Sequence, residues 1–156
     1  MIPALRFVPP IHRATHRIGL YLAGLRDDSL SQGEAHILAL LATSAPATIA
    51  TLHRGLAHTR STLTSILDRL VDRRFITRAV GADDRRTFVI ALTANGRRVA
   101  RRVRDHLIAL ESAVGGRVTA ADVKGFMTVV SAVEAVAHQL TRATPGRRTP
   151  GRARGK

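Results

Sequence analysis

The sequence has no cysteine and no tryptophan, and only four phenylalanines and one tyrosine among its 156 residues. Without thiols, disulfides, thiolate zinc sites and cysteine-based peroxide sensing are excluded. With so few rings, Leu, Val, Ile and Ala must fill whatever core a chain of this length buries, and that length suits one domain or one compact unit with an extra helical layer. The N-terminal MIPALRFVPP has no basic start followed by a continuous apolar run, and Pro3, Pro9 and Pro10 interrupt it. It is therefore expected to be neither a signal peptide nor a membrane span, and the default expectation is a cytoplasmic protein with no membrane partner. No paired carboxylates, nucleophile and base set or glycine-rich phosphate loop is recognisable. Nothing supports an enzyme, and neither a cofactor nor a metal is expected.

Acid is also scarce. Eleven Asp and Glu face 25 Lys and Arg, for a net charge of +14. Such a balance points to a polyanionic partner, nucleic acid ahead of an acidic membrane surface. All but Lys124 and Lys156 of the basic residues are Arg. The planar guanidinium fork suits bases and phosphates, although codon bias would leave the same composition.

What is present is mostly helical periodicity. Residues 11–26 place Ile11, Ile18, Leu22 and Leu25 at helical spacing behind Pro9 and Pro10. Ser31 and Glu34 form an S-x-x-E capping box ahead of a helix with Ile37, Leu38 and Leu41 inward, and Pro46 ends it. Residues 48–56 make a short third helix. After AHT comes TRSTLTSILDRLVDRRF, with Leu63, Ile66, Leu67 and Leu70 at a 3.6-residue period and Thr59 or Ser61 as N-cap. Ile76–Val80 and Thr87–Leu92 then flank the GADDRR turn as a hairpin, with Phe88, Ile90 and Leu92 as its anchors. Thr93 caps a long Arg-rich helix carrying Val99, Val103, Leu107, Leu110 and Val114, stopped by Gly115 and Gly116. Thr119 caps the last helix, whose Phe126, Val130, Val133, Ala137 and Leu140 make a heptad-like stripe that wants a partner.

The expected fold is therefore mainly α with a small β-hairpin wing, a winged helix-turn-helix flanked by N- and C-terminal helices. The corresponding boundaries are 1–29 for the first helix, 30–93 for the winged helix-turn-helix DNA-binding region, 94–141 for the last two helices and 142–156 for a tail. That tail, RATPGRRTPGRARGK, has six basic residues and no acid and is expected to be disordered. Without it 19 basic residues still face 11 acidic ones, so the folded part is basic in its own right.

Recognition helices present short polar and Arg side chains from their N-terminal turns to base edges, while backbone amides meet phosphate. Arg60, Ser61, Thr62, Thr64 and Ser65 sit there, next to Thr59. Arg60 can grip guanine bidentately, whereas Ser and Thr suit base or phosphate. Arg69 and Arg73 lie further along and suit phosphates. At the hairpin tip Arg85 and Arg86 are placed to enter a narrow minor groove, with the neighbouring aspartates pairing with an Arg to hold the turn; a solvated turn is the plain alternative. His12 and His16 stand four residues apart on the first helix, a metal-compatible spacing with no third ligand in view.

Two stretches resemble the MarR family, the multiple antibiotic resistance regulators. DRRTFVIALTANGRR, Asp84 to Arg98, is similar to that family's wing pattern of Asp-x-Arg, an alternating strand and Leu-Thr-x-x-Gly, and TRSTLTSILDRLVDRRFITR, Thr59 to Arg78, to its recognition helix and exit. The resemblance spans residues 11–141. It implies a two-fold symmetric homodimer on double-stranded DNA, with 1–29 and 94–141 as N- and C-terminal dimerisation helices, and usually repression relieved by a small-molecule effector. Carried over, Arg60, Ser61, Thr62 and Ser65 fall on the base-reading face, Thr64 and Arg69 near backbone contacts, and Asp84 with Arg86 on the wing pair. The family's ligand crevice between dimer helices and DNA lobe would have Arg17, Tyr21 and His36 as walls. One departure is Arg74, where the family usually has glycine.

Two other functions compete. A nonspecific architectural, nucleoid-type protein would use the same fold and the basic tail to coat DNA. A metal-dependent sensor or enzyme would rest on His12 and His16 alone.

Overall fold

The computed structural model describes residues 5–24, 30–56, 59–81 and 87–143. Its elements run α1 (Val8–Ala23), α2 (Gln32–Ser44), β1 (Ala47–Thr48), α3 (Ile49–Leu56), α4 (Arg60–Asp72), β2 (Ile76–Val80), β3 (Phe88–Leu92), α5 (Ala94–Gly115) and α6 (Ala120–Ala143). Contacts divide the chain into two compact units, one ending at Val114 and one starting at Gly115. The expected mainly α fold with a winged helix-turn-helix is the fold found.

Each boundary has a local cause. Pro9 and Pro10 lie inside the first turn of α1, where their missing N–H groups cost no intrahelical bond, so this helix starts earlier than the apolar spacing suggested. At α2 the Ser31 N–H donates to Glu34 Oε2 at 2.7 Å and the Glu34 N–H donates back to Ser31 Oγ at 3.3 Å, the expected capping box. Thr48 ends β1 and also caps α3, its Oγ1 accepting from the Thr51 N–H at 3.1 Å. Thr59 is the N-cap of α4, and Thr93 Oγ1 accepts from the Gly96 N–H at 2.9 Å to start α5.

The sheet differs from the expected two-stranded hairpin. Ala47 and Thr48 pair with Ile90 and Val89, so the order is β1-β3-β2 and β3 is central. Two residues ahead of a helix are too short to show strand periodicity, and only the partner strand makes them one. The hairpin register runs from Ile76 opposite Leu92 to Val80 opposite Phe88, and the Gly81 N–H closes it on the Thr87 carbonyl at 2.7 Å. Only the base of this ribbon is packed: Ile76, Ile90 and Leu92 are buried, whereas Thr77 to Val80 are exposed. Phe88, expected as an anchor, is 42% exposed.

The first unit has one aliphatic core. Leu22 of α1, Leu38 and Leu41 of α2, Leu52 of α3, Leu63, Leu67 and Leu70 of α4, and Val99 and Val103 of α5 all belong to it, with Phe75 its one aromatic member. Val114, expected to continue the inward stripe of α5, is 49% exposed. In the second unit α6 has no buried residue, and Val123, Phe126, Met127 and Val136 are each more than half exposed. An Asp122 and Thr119 box starts that helix: the Thr119 N–H donates to Asp122 Oδ2 at 2.8 Å and the Asp122 N–H to Thr119 Oγ1 at 3.2 Å.

The end of α4 is the tightest junction. Arg74 has φ 57°, the Phe75 N–H donates to the Leu70 carbonyl at 2.9 Å, and the Arg74 N–H donates to Val71 at 2.8 Å. These are the two bonds of a Schellman stop, and Leu70 with Phe75 supplies the apolar contact that accompanies it. Arg74 thus occupies the left-handed position itself; the turn keeps its shape and the side chain bears the strain. Beyond it the Thr93 N–H donates to the Phe75 carbonyl at 3.0 Å, and Thr93 Oγ1 donates to the Arg74 carbonyl at 2.7 Å. A Cβ on Gly96 would stand 1.7 Å from the Phe75 carbonyl oxygen. The glycine of Leu-Thr-x-x-Gly is required because α5 starts against that carbonyl.

Arg74→Gly relieves the left-handed strain and should raise stability by about 1 kcal/mol in denaturant unfolding. Gly96→Ala drives a methyl into backbone and should lower it by about 3 kcal/mol or more, read by the same measurement.

Candidate nucleic-acid interface

The recognition-helix candidate α4 sorts its residues by period. Leu63, Ile66, Leu67 and Leu70 are buried, and Thr59, Arg60, Ser61, Thr62, Thr64, Ser65 and Arg69 are exposed. The hydroxyls of its first turn are organised around the cap: Thr59 Oγ1 accepts from the Thr62 N–H at 3.3 Å and lies 3.1 Å from Ser61 Oγ and 2.8 Å from Thr62 Oγ1. Thr64 Oγ1 donates to the Arg60 carbonyl at 2.9 Å, which leaves its lone pairs outward.

Glu34 in α2 and Asp122 in α6 place a carboxylate at the positive end of their helices, whereas the first turn of α4, as in α1, α3 and α5, carries no acid. Its amino-terminal amides, with Arg60 beside them, face outward uncompensated by acid, a setting that suits an external anion. A groove of about 490 Å³ runs alongside, lined by Ile49, Ala50, His53 and Arg54 of α3, Arg60, Leu63 and Thr64 of α4, and Thr87 and Phe88 where β3 begins. Sequence reading missed His53 and Arg54. A cation in the last turn of the preceding helix was the available signal, but only the fold sets it beside Arg60.

Arg69 and Arg73, expected at phosphates, also hold a carboxylate of the protein itself. Arg69 Nε lies 3.6 Å and Arg73 Nη1 3.5 Å from Glu34 Oε1, and the Arg73 guanidinium sits 4.8 Å over the Phe75 ring. Glu34 is 4% exposed, the one buried charged side chain among the described residues. Burial pushes its carboxyl up, but the Ser31 side-chain and backbone hydrogen bonds and the charges of Arg73 and Arg69 outweigh this and hold it below its ordinary value. One carboxylate therefore caps α2 and ties the far end of α4 to it. On the wing, Arg78 Nη1 lies 3.4 Å from Asp68 Oδ1, and its guanidinium is 5.0 Å over the Phe88 ring, which joins α4 to the hairpin.

The tip candidates Asp84, Arg85 and Arg86 lie outside the described residues. Of the three crevice candidates, Arg17 and Tyr21 stand four residues apart on α1 and so share a face, and His36 is on α2. Arg17 is exposed on α1, His36 is half-buried on α2, and the Tyr21 hydroxyl stands 3.3 Å from both Nδ1 and the carbonyl oxygen of His106 on α5. Neither the groove nor a smaller recess at α5 includes any of them. His12 and His16 are exposed on α1, and no group of three or more His, Cys, Asp or Glu that could hold a metal occurs among the described residues. No described helix is long and apolar enough to cross a membrane.

The MarR family model matches residues 30–88, from the start of α2 to the first residue of β3. The chain carries a MarR-family winged-helix region. No curated protein matches the sequence. Among solved structures, MepR of S. aureus in complex with DNA is similar over 85% of this chain and 99% of its own, with a TM-score of 0.72 and 16% identity. The PcaV transcriptional regulator of Streptomyces coelicolor, with its natural ligand, is similar over 87% and 99%, with a TM-score of 0.70 and 18% identity. FabT of Streptococcus pneumoniae, in complex with DNA, is similar over 85% and 93%, with a TM-score of 0.67 and 19% identity. At such identities the likeness is one of fold, and it extends beyond the matched segment.

Glu34 links this region to pH. Its folded-state pKa is lowered, so the stability it contributes is present above its ordinary value of 4.5 and is lost as pH falls through the folded value. Glu34→Gln should cost about 1 kcal/mol at pH 7, since its partners are partly solvent-exposed. In urea unfolding at a series of pH values the gap between variant and parent should close below the ordinary value.

Proposed function

We propose that this MarR-family winged-helix regulator binds a pseudo-palindromic operator in double-stranded DNA as a homodimer, represses transcription there and is released by a small-molecule effector. The observation that carries the reading is the acid-free, Thr59-capped start of α4 beside a groove lined by Arg54 and Arg60. In this reading Arg60, Ser61, Thr62 and Ser65 read bases, with Thr59 and Thr64 at the backbone. Arg86 enters the minor groove with Arg85 alongside, and Asp84 holds the turn. The exposed apolar residues of α6 support a second copy as their cover. DNA in the MepR and FabT structures and a ligand in the PcaV structure support the partner classes. Arg17, Tyr21 and His36 stay proposed effector contacts, and the place of action is the cytoplasm.

The net charge of +14 favours a second reading, an architectural protein that coats DNA without choosing sites. Sequencing fragments selected by the purified protein, followed by footprinting, separates the two. A regulator should protect an inverted repeat with half-sites about 34–36 Å apart. Arg60→Ala should cost roughly 1–3 kcal/mol there and relax preference at one base position. Equal affinity for scrambled DNA would establish the architectural reading instead.

A further inference from the structure

The first turns of α5 hold five arginines within eight residues, Arg97, Arg98, Arg101, Arg102 and Arg104. Arg97, Arg101 and Arg104 are spaced four and three residues apart and so share one face of the helix. All three line a recess of about 150 Å³ whose other walls are Ala42 of α2 and Leu92 at the end of β3. Arg97 Nη1 donates to the Leu92 carbonyl at 2.9 Å, which holds that guanidinium at the recess. Among the described residues no carboxylate pairs with Arg97, Arg101 or Arg104. Three like charges on one helix face repel one another, and Asp105, four residues after Arg101, is the nearest acid in sequence but forms no ion pair with any of the three.

We propose that this recess is a binding site for a small phosphate-type dianion. The volume is well below the roughly 300–1,000 Å³ of pockets that enclose a drug-sized ligand, so it takes a single anionic group and the first atoms attached to it. Three separate guanidiniums match the oxygens of a tetrahedral dianion, each able to accept charge-assisted bonds, where a lone carboxylate would use one fork. Ala42 and Leu92 offer an apolar wall to whatever the group is attached to. The site lies at the handover from β3 to α5, and the proposal does not depend on operator recognition.

The test is a titration of the full-length protein with inorganic phosphate, followed by ³¹P line broadening at ionic strength held constant with chloride. Saturable binding is expected, weakened at least tenfold in an Arg101→Gln/Arg104→Gln double variant and unchanged in an Arg13→Gln/Arg117→Gln variant of equal net charge. Ala42→Glu, which supplies a carboxylate within the recess and leaves every arginine in place, should abolish binding while the melting curve stays cooperative. Binding that never saturates, or that weakens equally in both double variants, would mean phosphate collects on the basic surface at large and would overturn the proposal. So would a double variant that binds phosphate normally but loses affinity for DNA with a shallower salt slope, because its arginines would then be backbone contacts.

Discussion

The winged region is organised around the carbonyl of Phe75. It accepts from the Thr93 backbone at 3.0 Å and from the Thr93 hydroxyl at 3.2 Å, and it leaves no room for a Cβ on Gly96. Immediately before it the chain turns through Arg74 in the left-handed region to end α4. Four elements meet at this point: the end of α4, the start of β2, the end of β3 and the start of α5. Because one hydroxyl both caps α5 and bonds the turn after α4, the angle between α4 and the hairpin is set by hydrogen bonds at the base of the ribbon. The strain at Arg74 is small beside the bonds and packing that hold it.

A second constraint acts from the other side. Glu34, buried at the start of α2, holds Arg69 and Arg73 and so fixes α4 along its length. Removing both arginines would leave the buried Glu34 charge without its ion pairs, so they have a structural part whatever else they touch. Two groups of outward-facing cations line concave surface: Arg54 and Arg60 at the groove beside the first turn of α4, and Arg97, Arg101 and Arg104 around the small recess at α5. A net charge is one number for the whole chain. The fold places part of it at the Glu34 clamp, part at the groove and part at the recess.

Much was legible in the sequence because it depends on neighbours within four residues. The Ser31 and Glu34 box, the Thr59 and Thr93 caps, the apolar period of α4 and the strands on either side of GADDRR are local patterns, and each stands where the spacing placed it. The start of α1, the strand nature of Ala47 and Thr48 and the exposure of Phe88 were not, because each depends on what the segment meets in space. Of the site, the exposed face of α4 followed from its period, while His53 and Arg54 needed α3 to lie beside it.

By itself, then, the sequence determined the class of fold, the order of its elements and the basic character of the chain, since hydrophobic periodicity, capping chemistry and composition act over short separations. Only the tertiary structure decided what individual charges do. Arg69 and Arg73 read in the sequence like any other cations of a basic helix, and only the fold brings the Glu34 carboxylate against them. The glycine at position 96 is likewise one residue type in a motif until α5 is brought against the Phe75 carbonyl, where nothing with a Cβ fits. Long-range contacts of that kind leave no periodic trace, so they become visible only once the chain is folded.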